Sequence, residues 1–307
     1  MLLFNRADLL HLILPFCNLC KQRCNSPVKG AHCADEIIAE TFLLLITPFY
    51  YFHRYNVEKF TQPPGNIGNV LYMIVSWIKI VIIFLYTAAV AVLTLLSIPF
   101  DRRGNLYHGC ARLFARGVLV ISGVKVIVEG VGNLDRSKSY IYISNHTSQF
   151  DIPSIIAGIP DQIRLIYKKE LEKVPFMGWA LKFGKIYISI NRAKGIDAAQ
   201  SLEEAAKNIR TGASVLLFAE GTRSPDGKLQ QFKRGPFYLA IKSGVPVIPV
   251  TINGSNKILP KHSTRIRPGI IRLVLANEIK PPQEGGKETE LLLRDEVREI
   301  IQKNLSE

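Results

Sequence analysis

Two short runs carry residue types suited to proton transfer and anion binding. The first is Asn145-His146-Thr147-Ser148-Gln149-Phe150-Asp151, which follows a strand-like run and sets a histidine five residues before an aspartate. Across a tight polar turn, that spacing lets Asp151 reach one ring nitrogen of His146, fix its tautomer and stabilise the imidazolium. The other nitrogen then faces open space, where a substrate hydroxyl can take the place of a protein serine. The same residues also read as a turn in which Thr147 or Ser148 caps a helix starting at Pro153. The second run, Phe218-Ala219-Glu220-Gly221-Thr222-Arg223-Ser224, follows the apolar stretch 215–218. Gly221 permits close backbone approach, Arg223 offers a bidentate fork for phosphate, and Glu220 can orient that arginine. A surface turn with an ion pair is the plain alternative.

Two further stretches belong beside these. Residues 163–192 carry Lys168, Lys169, Lys185 and Arg192, the last ending the strand-like "GKIYISINR". Arg192 is placed to meet Arg223 at one sheet edge, unless the segment is a solvated basic loop. Residues 244–254, "GVPVIPVTING", set Pro246 and Pro249 in an apolar strand. Proline there implies an edge, a bulge or a strand start; the strand either walls an apolar channel or is ordinary core.

The elements that must hold these runs alternate. Strands are predicted at 124–128, 140–144, 163–167, 186–190, 215–218, 247–252 and 270–275. Helices are predicted at 106–121, 176–183, 196–210, 237–242 and 288–305. Alternation with continuous apolar, β-branched strands predicts an α/β domain, its mostly parallel or mixed central sheet covered by helices. Both polar runs then sit at the C-terminal ends of strands, where ligands bind such sheets.

The chain has 307 residues, 48% apolar, and a net charge of +14. That balance suits an acidic partner: nucleic acid, an anionic membrane or phosphorylated substrates. No nucleic-acid-binding motif accompanies it. Residues 70–100, in contrast, hold a single charge, Lys79. About 20 apolar residues suffice to cross a bilayer as a helix, so membrane contact is predicted, by crossing or by lying within one leaflet. Arg102, Arg103, Arg112 and Arg116 follow, which predicts the cytosolic side of the cytoplasmic membrane for everything C-terminal and contact with anionic head groups.

Residues 1–69 read as a leader of uncertain structure, 70–123 as a membrane-associated helical pair, and 124–307 as the α/β domain. Met73 offers an alternative start, with the leader outside the working protein. Cys17, Cys20, Cys24 and Cys33, with His32, supply enough ligands for zinc or an iron–sulfur centre, but their spacing matches no standard pattern. An unstructured leader is the other reading.

Together the runs resemble the glycerophospholipid acyltransferase family, of the bacterial 1-acyl-sn-glycerol-3-phosphate (lysophosphatidate) acyltransferase type. Asn145, His146, Ser148, Phe150 and Asp151 match its first motif, and 218–224 its third, with Phe232, Lys233 and Gly235 downstream. Residues 245–250 match the proline-containing fourth motif, and Gly184 to Arg192 the second, with Asn191 where Asp is common. The resemblance spans about residues 73–280. It implies transfer of a fatty acyl group from acyl-CoA or acyl carrier protein to the sn-2 hydroxyl of 1-acyl-glycerol 3-phosphate, giving phosphatidic acid.

In that reading His146 is the base and Asp151 its orienter. Glu220, Gly221, Thr222, Arg223 and Arg192 hold the phosphate, and Lys168 or Lys169 meets the oxyanion. The resemblance also implies that the N-terminal helices embed in the membrane, that lipid enters from the leaflet, and that no metal or bound cofactor is required. Glycerol 3-phosphate, another lysophospholipid or dihydroxyacetone phosphate are alternative acceptors; a non-catalytic lipid-binding module is an alternative of another class. A serine hydrolase is disfavoured, since no Gly-x-Ser-x-Gly is present.

Overall fold

The computed structural model describes residues 66–101, 104–184, 186–190, 206, 209, 212, 214–282 and 286–306. The four N-terminal cysteines, Met1 to Gly65, Arg102, Arg103, Lys185, Asn191, Arg192 and most of the predicted helix 196–210 lie outside these residues.

A seven-stranded sheet organises the domain: β1 (Val124–Glu129), β2 (Ile141–Ser144), β3 (Ile163–Lys168), β4 (Ile188–Ile190), β5 (Ser214–Phe218), β6 (Val247–Asn253) and β7 (Gly269–Leu275), in the order β1-β7-β6-β2-β5-β3-β4. Five strands, β6-β2-β5-β3-β4, run parallel, while β7 pairs antiparallel with β6 and parallel with β1. The sheet is therefore mixed. Its helices are α1 (Asn66–Ser97), α2 (Asn105–Ser122), α3 (Asp151–Gly158), α4 (Met177–Gly184), α5 (Gly235–Ser243), the single turn α6 (Ser255–Ile258) and α7 (Lys287–Asn304).

Strand alternation splits the core into two layers. Tyr140, Tyr142, Leu216, Ile248 and Val250 face one way, packing with Val118 and Leu119 of α2 and Ile155 of α3. Ile141, Ile143, Val215, Leu217 and Val247 face the other, against Phe237 and Leu239 of α5 and Leu293, Val297 and Ile301 of α7. The central strand β2 is buried at every residue, which is why its sequence is apolar without alternation.

Of the three readings of the proline strand, edge and strand start do not hold for Pro249. β6 lies inside the sheet and is buried throughout. The bulge does hold. On the β7 side the pairing passes from Val250↔Leu275 to the isolated bridge Val247↔Ile279, so the partner chain carries one extra residue opposite Ile248, next to Pro249. The missing N–H falls at the last in-register pair before the bulge, where the Pro249 carbonyl still accepts from the Ala276 N–H at 3.0 Å. Pro246 precedes the strand, and its carbonyl accepts from the Ile141 N–H at 2.9 Å. Both prolines are placed here by the hydrogen bonding of the sheet.

α1 is apolar on the outside and tied to the domain on the inside. The Ile266 N–H donates to Ser76 Oγ (3.2 Å), Lys79 Nζ to the Ser122 carbonyl (3.2 Å), and the Tyr86 hydroxyl to the Leu113 carbonyl (2.7 Å). Trp77, Ile78, Val81, Phe84 and Leu85 are exposed on the opposite side. Lys79, the only charge of the apolar run, thus finds an acceptor at the C-terminal end of α2. α2 packs between α1 and α3 and buries one face there. Arg112 corrects the head-group expectation: its guanidinium donates to the carbonyls of Ile159 (2.9 Å) and Asp161 (3.2 Å). Arg116 remains exposed.

Candidate active site

β2 ends between β5 and β6, so the turns after these three parallel strands converge at one sheet edge. Asn145 extends β2 by side chain. Its Nδ2 donates to the Ile252 carbonyl (3.0 Å) and its Oδ1 accepts the Ile252 N–H (2.8 Å), a side-chain copy of a strand ladder. That clamp fixes where His146 leaves the sheet.

His146 Nδ1 lies 2.7 Å from Asp151 Oδ2. The same oxygen accepts the N–H groups of Thr147 (2.8 Å) and Ser148 (2.9 Å). Asp151 has no solvent exposure, so these three donors satisfy an oxygen that water cannot reach. With Nδ1–H donating to the carboxylate, Nε2 carries the free lone pair, and no residue among those described occupies it. The imidazole stacks on Phe218, with ring centroids 3.9 Å apart and planes inclined by 15°. The ring is held by carboxylate and stacking, with one edge open.

Thr147 and Ser148 do not cap α3. That helix opens at Asp151 with no side-chain cap on its N-terminus. Thr147 Oγ1 instead shares a hydrogen bond with Ser255 Oγ (2.7 Å), and Ser148 Oγ donates to the Leu259 carbonyl (2.9 Å). Both hydroxyls brace the turn against the segment after β6.

The Phe218–Ser224 loop is joined to this turn through its backbone. The Ser224 N–H donates to the His146 carbonyl at 2.8 Å, and the Ala219 N–H to the Ser144 carbonyl at 3.1 Å. Arg223 therefore sits beside His146 in space, 77 residues later in sequence. Its carbonyl accepts from Lys261 Nζ at 2.8 Å, and no hydrogen bond or ion pair among the described residues holds its guanidinium. Gly221 has φ +74°, and a Cβ there would meet the Lys233 side chain at 3.0 Å, so both backbone and space favour glycine. Thr222 is exposed.

Glu220 departs from the expectation that it orients Arg223. Its Oε1 accepts the His146 N–H at 2.9 Å, and it is 2% exposed. Burial raises its carboxyl to about 7, against the pull of the His146 and Gln230 N–H groups; the charges of Asp151 and Asp226 raise it further. Buried and bonded to the His146 N–H, Glu220 is tied to the histidine turn rather than to Arg223. Lys168 ends β3, and continuing the β3–β5 register sets it level with Ala219 at the same edge. Lys169 opens the following 3-10 turn and is exposed.

Phe218 as a platform, Ser255 as a brace and Lys261 as an anchor for the Arg223 loop had no signal in residue spacing, since each acts on a residue far away in the chain. Among the described residues no group of three or more His, Cys, Asp or Glu side chains is arranged to hold a metal.

A family model described as Acyltransferase matches residues 125–253, the segment from β1 through β6 that includes both loops. The chain is 34% identical to the chloroplastic 1-acyl-sn-glycerol-3-phosphate acyltransferase of Brassica napus, over 67% of this chain and 58% of that protein. It is 31% identical to the 1-acyl-sn-glycerol-3-phosphate acyltransferase of Limnanthes douglasii, over 65% of this chain and 72% of that protein. Its fold is similar to the crystal structure of the 1-acyl-sn-glycerophosphate (LPA) acyltransferase PlsC from Thermotoga maritima. The TM-score is 0.63 at 28% identity, covering 77% of this chain and 94% of that one. The chain spans 58% of the Brassica relative and 51% of a chloroplastic Arabidopsis thaliana relative.

Proposed function

The chain belongs to the acyltransferase family, and from that premise we propose that it moves a fatty acyl group from a thioester to the sn-2 hydroxyl of 1-acyl-sn-glycerol 3-phosphate, giving phosphatidic acid. The observation that carries this reading is the His146–Asp151 pair at 2.7 Å, whose Nε2 has no nucleophilic side chain bonded to it among the described residues. His146 Nε2 takes the proton of the acceptor hydroxyl as its oxygen attacks the thioester carbonyl. Asp151 keeps the proton on Nδ1 and stabilises the imidazolium that forms. Collapse of the tetrahedral oxyanion breaks the carbon–sulfur bond, and the departing thiolate takes the proton back from His146. Lys168 or Lys169, or backbone N–H groups at this edge, stabilise the oxyanion.

Arg223, on the loop bonded to the His146 turn and with no partner for its guanidinium among the described residues, holds the acceptor phosphate, joined by Gly221, Thr222 and Arg192. The thioester is acyl-CoA or acyl carrier protein, both acidic and suited to a chain of net charge +14.

A membrane location is supported by the apolar run Val70–Phe100. Residues 70–123 are the membrane-facing part, 124–307 the catalytic domain, and 1–69 a leader. The ties of α1 to the domain, from Ser76 to Tyr86, favour a helix lying in one leaflet over one crossing it. The catalytic domain faces the cytosol from the cytoplasmic membrane, taking its lipid from that leaflet.

The test is an acyl-transfer assay on the full chain in lipid, offering both thioesters and a panel of acceptors: 1-acyl-glycerol 3-phosphate, glycerol 3-phosphate, dihydroxyacetone phosphate and phosphate-capped lysophospholipids. Phosphatidic acid as the main product is expected. Preferred acylation of another acceptor would overturn the substrate, and no transfer to any would overturn the activity.

A further inference from the structure

Residues 169–184 carry an apolar surface that the proposed chemistry leaves unused. The 3-10 turn Lys169–Lys173, the link after it and α4 expose Leu171, Val174, Trp179 and Phe183, at 38%, 37%, 45% and 55% of full accessibility. Trp179 and Phe183 are four residues apart and share one helix face, while Gly178 and Ala180 are buried on the other. Phe176 has φ +61°, an uncommon backbone for an aromatic residue, and its ring meets Trp179 with centroids 5.3 Å apart. Four large apolar side chains gathered on one short exposed segment mark an interaction surface.

Three observations say what covers it. α4 packs directly against α1, so the patch lies on the immediate neighbour of the membrane helix. The segment is amphipathic, with Lys169, Lys173 and Lys182 exposed around the aromatic residues, and Lys182 Nζ 5.8 Å from the Phe183 ring centroid. Tryptophan flanked by lysine suits the head-group level of a bilayer, where the ring is half-wet and the ammonium meets lipid phosphate. The two acidic residues do not break the patch: Glu172 accepts from the Tyr167 hydroxyl at 3.2 Å, and Glu170 lies in the 3-10 turn ahead of α4. Finally, the segment starts where β3 ends, at the same sheet edge as His146 and Arg223.

We propose that residues 169–184 form a second membrane contact, seated at the boundary between head groups and acyl chains of an anionic bilayer beside α1. One helix alone leaves the domain free to roll about that helix. A second contact at the catalytic edge fixes the roll and turns the edge toward the lipid surface. The proposal rests on the reading of α1 as membrane-associated.

The chain has two tryptophans, Trp77 on α1 and Trp179 on α4, so each contact can be watched separately. The full chain is reconstituted into phosphatidylglycerol–phosphatidylcholine vesicles containing lipid brominated either near the glycerol end or near the methyl end of the acyl chain. In Trp77→Phe the remaining Trp179 emission is expected to fall, more with the shallow bromines than with the deep ones. In Trp179→Phe, Trp77 is expected to be quenched as well. Quenching of Trp77 with Trp179 untouched would overturn the second contact while leaving α1 in the membrane. An unquenched Trp179 whose emission tracks protein-to-lipid ratio would mean that a second copy covers the patch, which also overturns it. Quenching of neither would sink the membrane reading of α1 and this proposal together.

Discussion

The two loops at the catalytic edge are built to opposite standards. In the His146 turn the working oxygen of Asp151 takes three donors, Asn145 copies a strand ladder, and Thr147 and Ser148 are braced from 108 and 111 residues away. In the neighbouring loop, the backbone is pinned by Ser224 and Lys261 while the Arg223 guanidinium has no partner among the described residues. In the proposed reaction the difference separates chemistry from binding. Proton transfer needs a histidine whose tautomer and angle are settled before substrate arrives. A phosphate ligand needs a charge that is still free to pair.

The largest effect expected from breaking this contrast is His146→Ala. Acyl transfer should fall on the order of 10³-fold or more while the protein still folds, because the proposed base is lost. Asp151→Asn should follow, with turnover reduced about 10²-fold to 10⁴-fold as the tautomer of His146 is lost. Asp151→Ala should also lower stability, by about 1–3 kcal/mol for each N–H left buried and unpaired, read by thermal or urea unfolding. Arg223→Ala should act differently: the Michaelis constant for the phosphorylated acceptor should rise about 10-fold to 100-fold, the loss of a charged hydrogen bond, with turnover much less affected. A turnover loss at unchanged Michaelis constant would place Arg223 in the reacting machinery and erase the contrast.

Glu220→Gln should be the mildest change, because the amide oxygen can still accept the His146 N–H. Its signature is in pH. The folded protein holds the Glu220 proton up to about 7, above the ordinary value of 4.5, so folding takes up a proton between these values. Stability should therefore fall as pH rises across that window, and the Gln variant should flatten this part of the profile. A pH-stability curve identical to that of the parent would remove the buried-acid account.

Much of this site is legible in the sequence, and the part that is not has a physical reason. His146 and Asp151 are five residues apart, so a single turn decides their contact and spacing alone can suggest it. The continuous apolar runs of β2 and β5 mark strands buried on both faces, which places both loops at strand ends. Sheet order is another matter. Nothing in the spacing says that β7 joins antiparallel beside β6 and brings β1 with it. Pro249 is legible as a break in the ladder, but only the offset between Val250↔Leu275 and Val247↔Ile279 shows that the break lies inside the sheet. The place of Glu220 is hidden from the sequence for the same reason. Arg223 is three residues away along the chain, while the true partner, the His146 N–H, lies across the β2–β5 ladder.

The central claim is that the acceptor lipid supplies the nucleophile and His146 only moves its proton. The direct measurement is thiol release from the acyl thioester on mixing with excess full-length chain, with and without 1-acyl-glycerol 3-phosphate, followed by the intact mass of the protein. The account predicts no burst of thiol and no acylated protein until the acceptor is added. A stoichiometric burst with an acyl adduct on the chain in the acceptor's absence would contradict it.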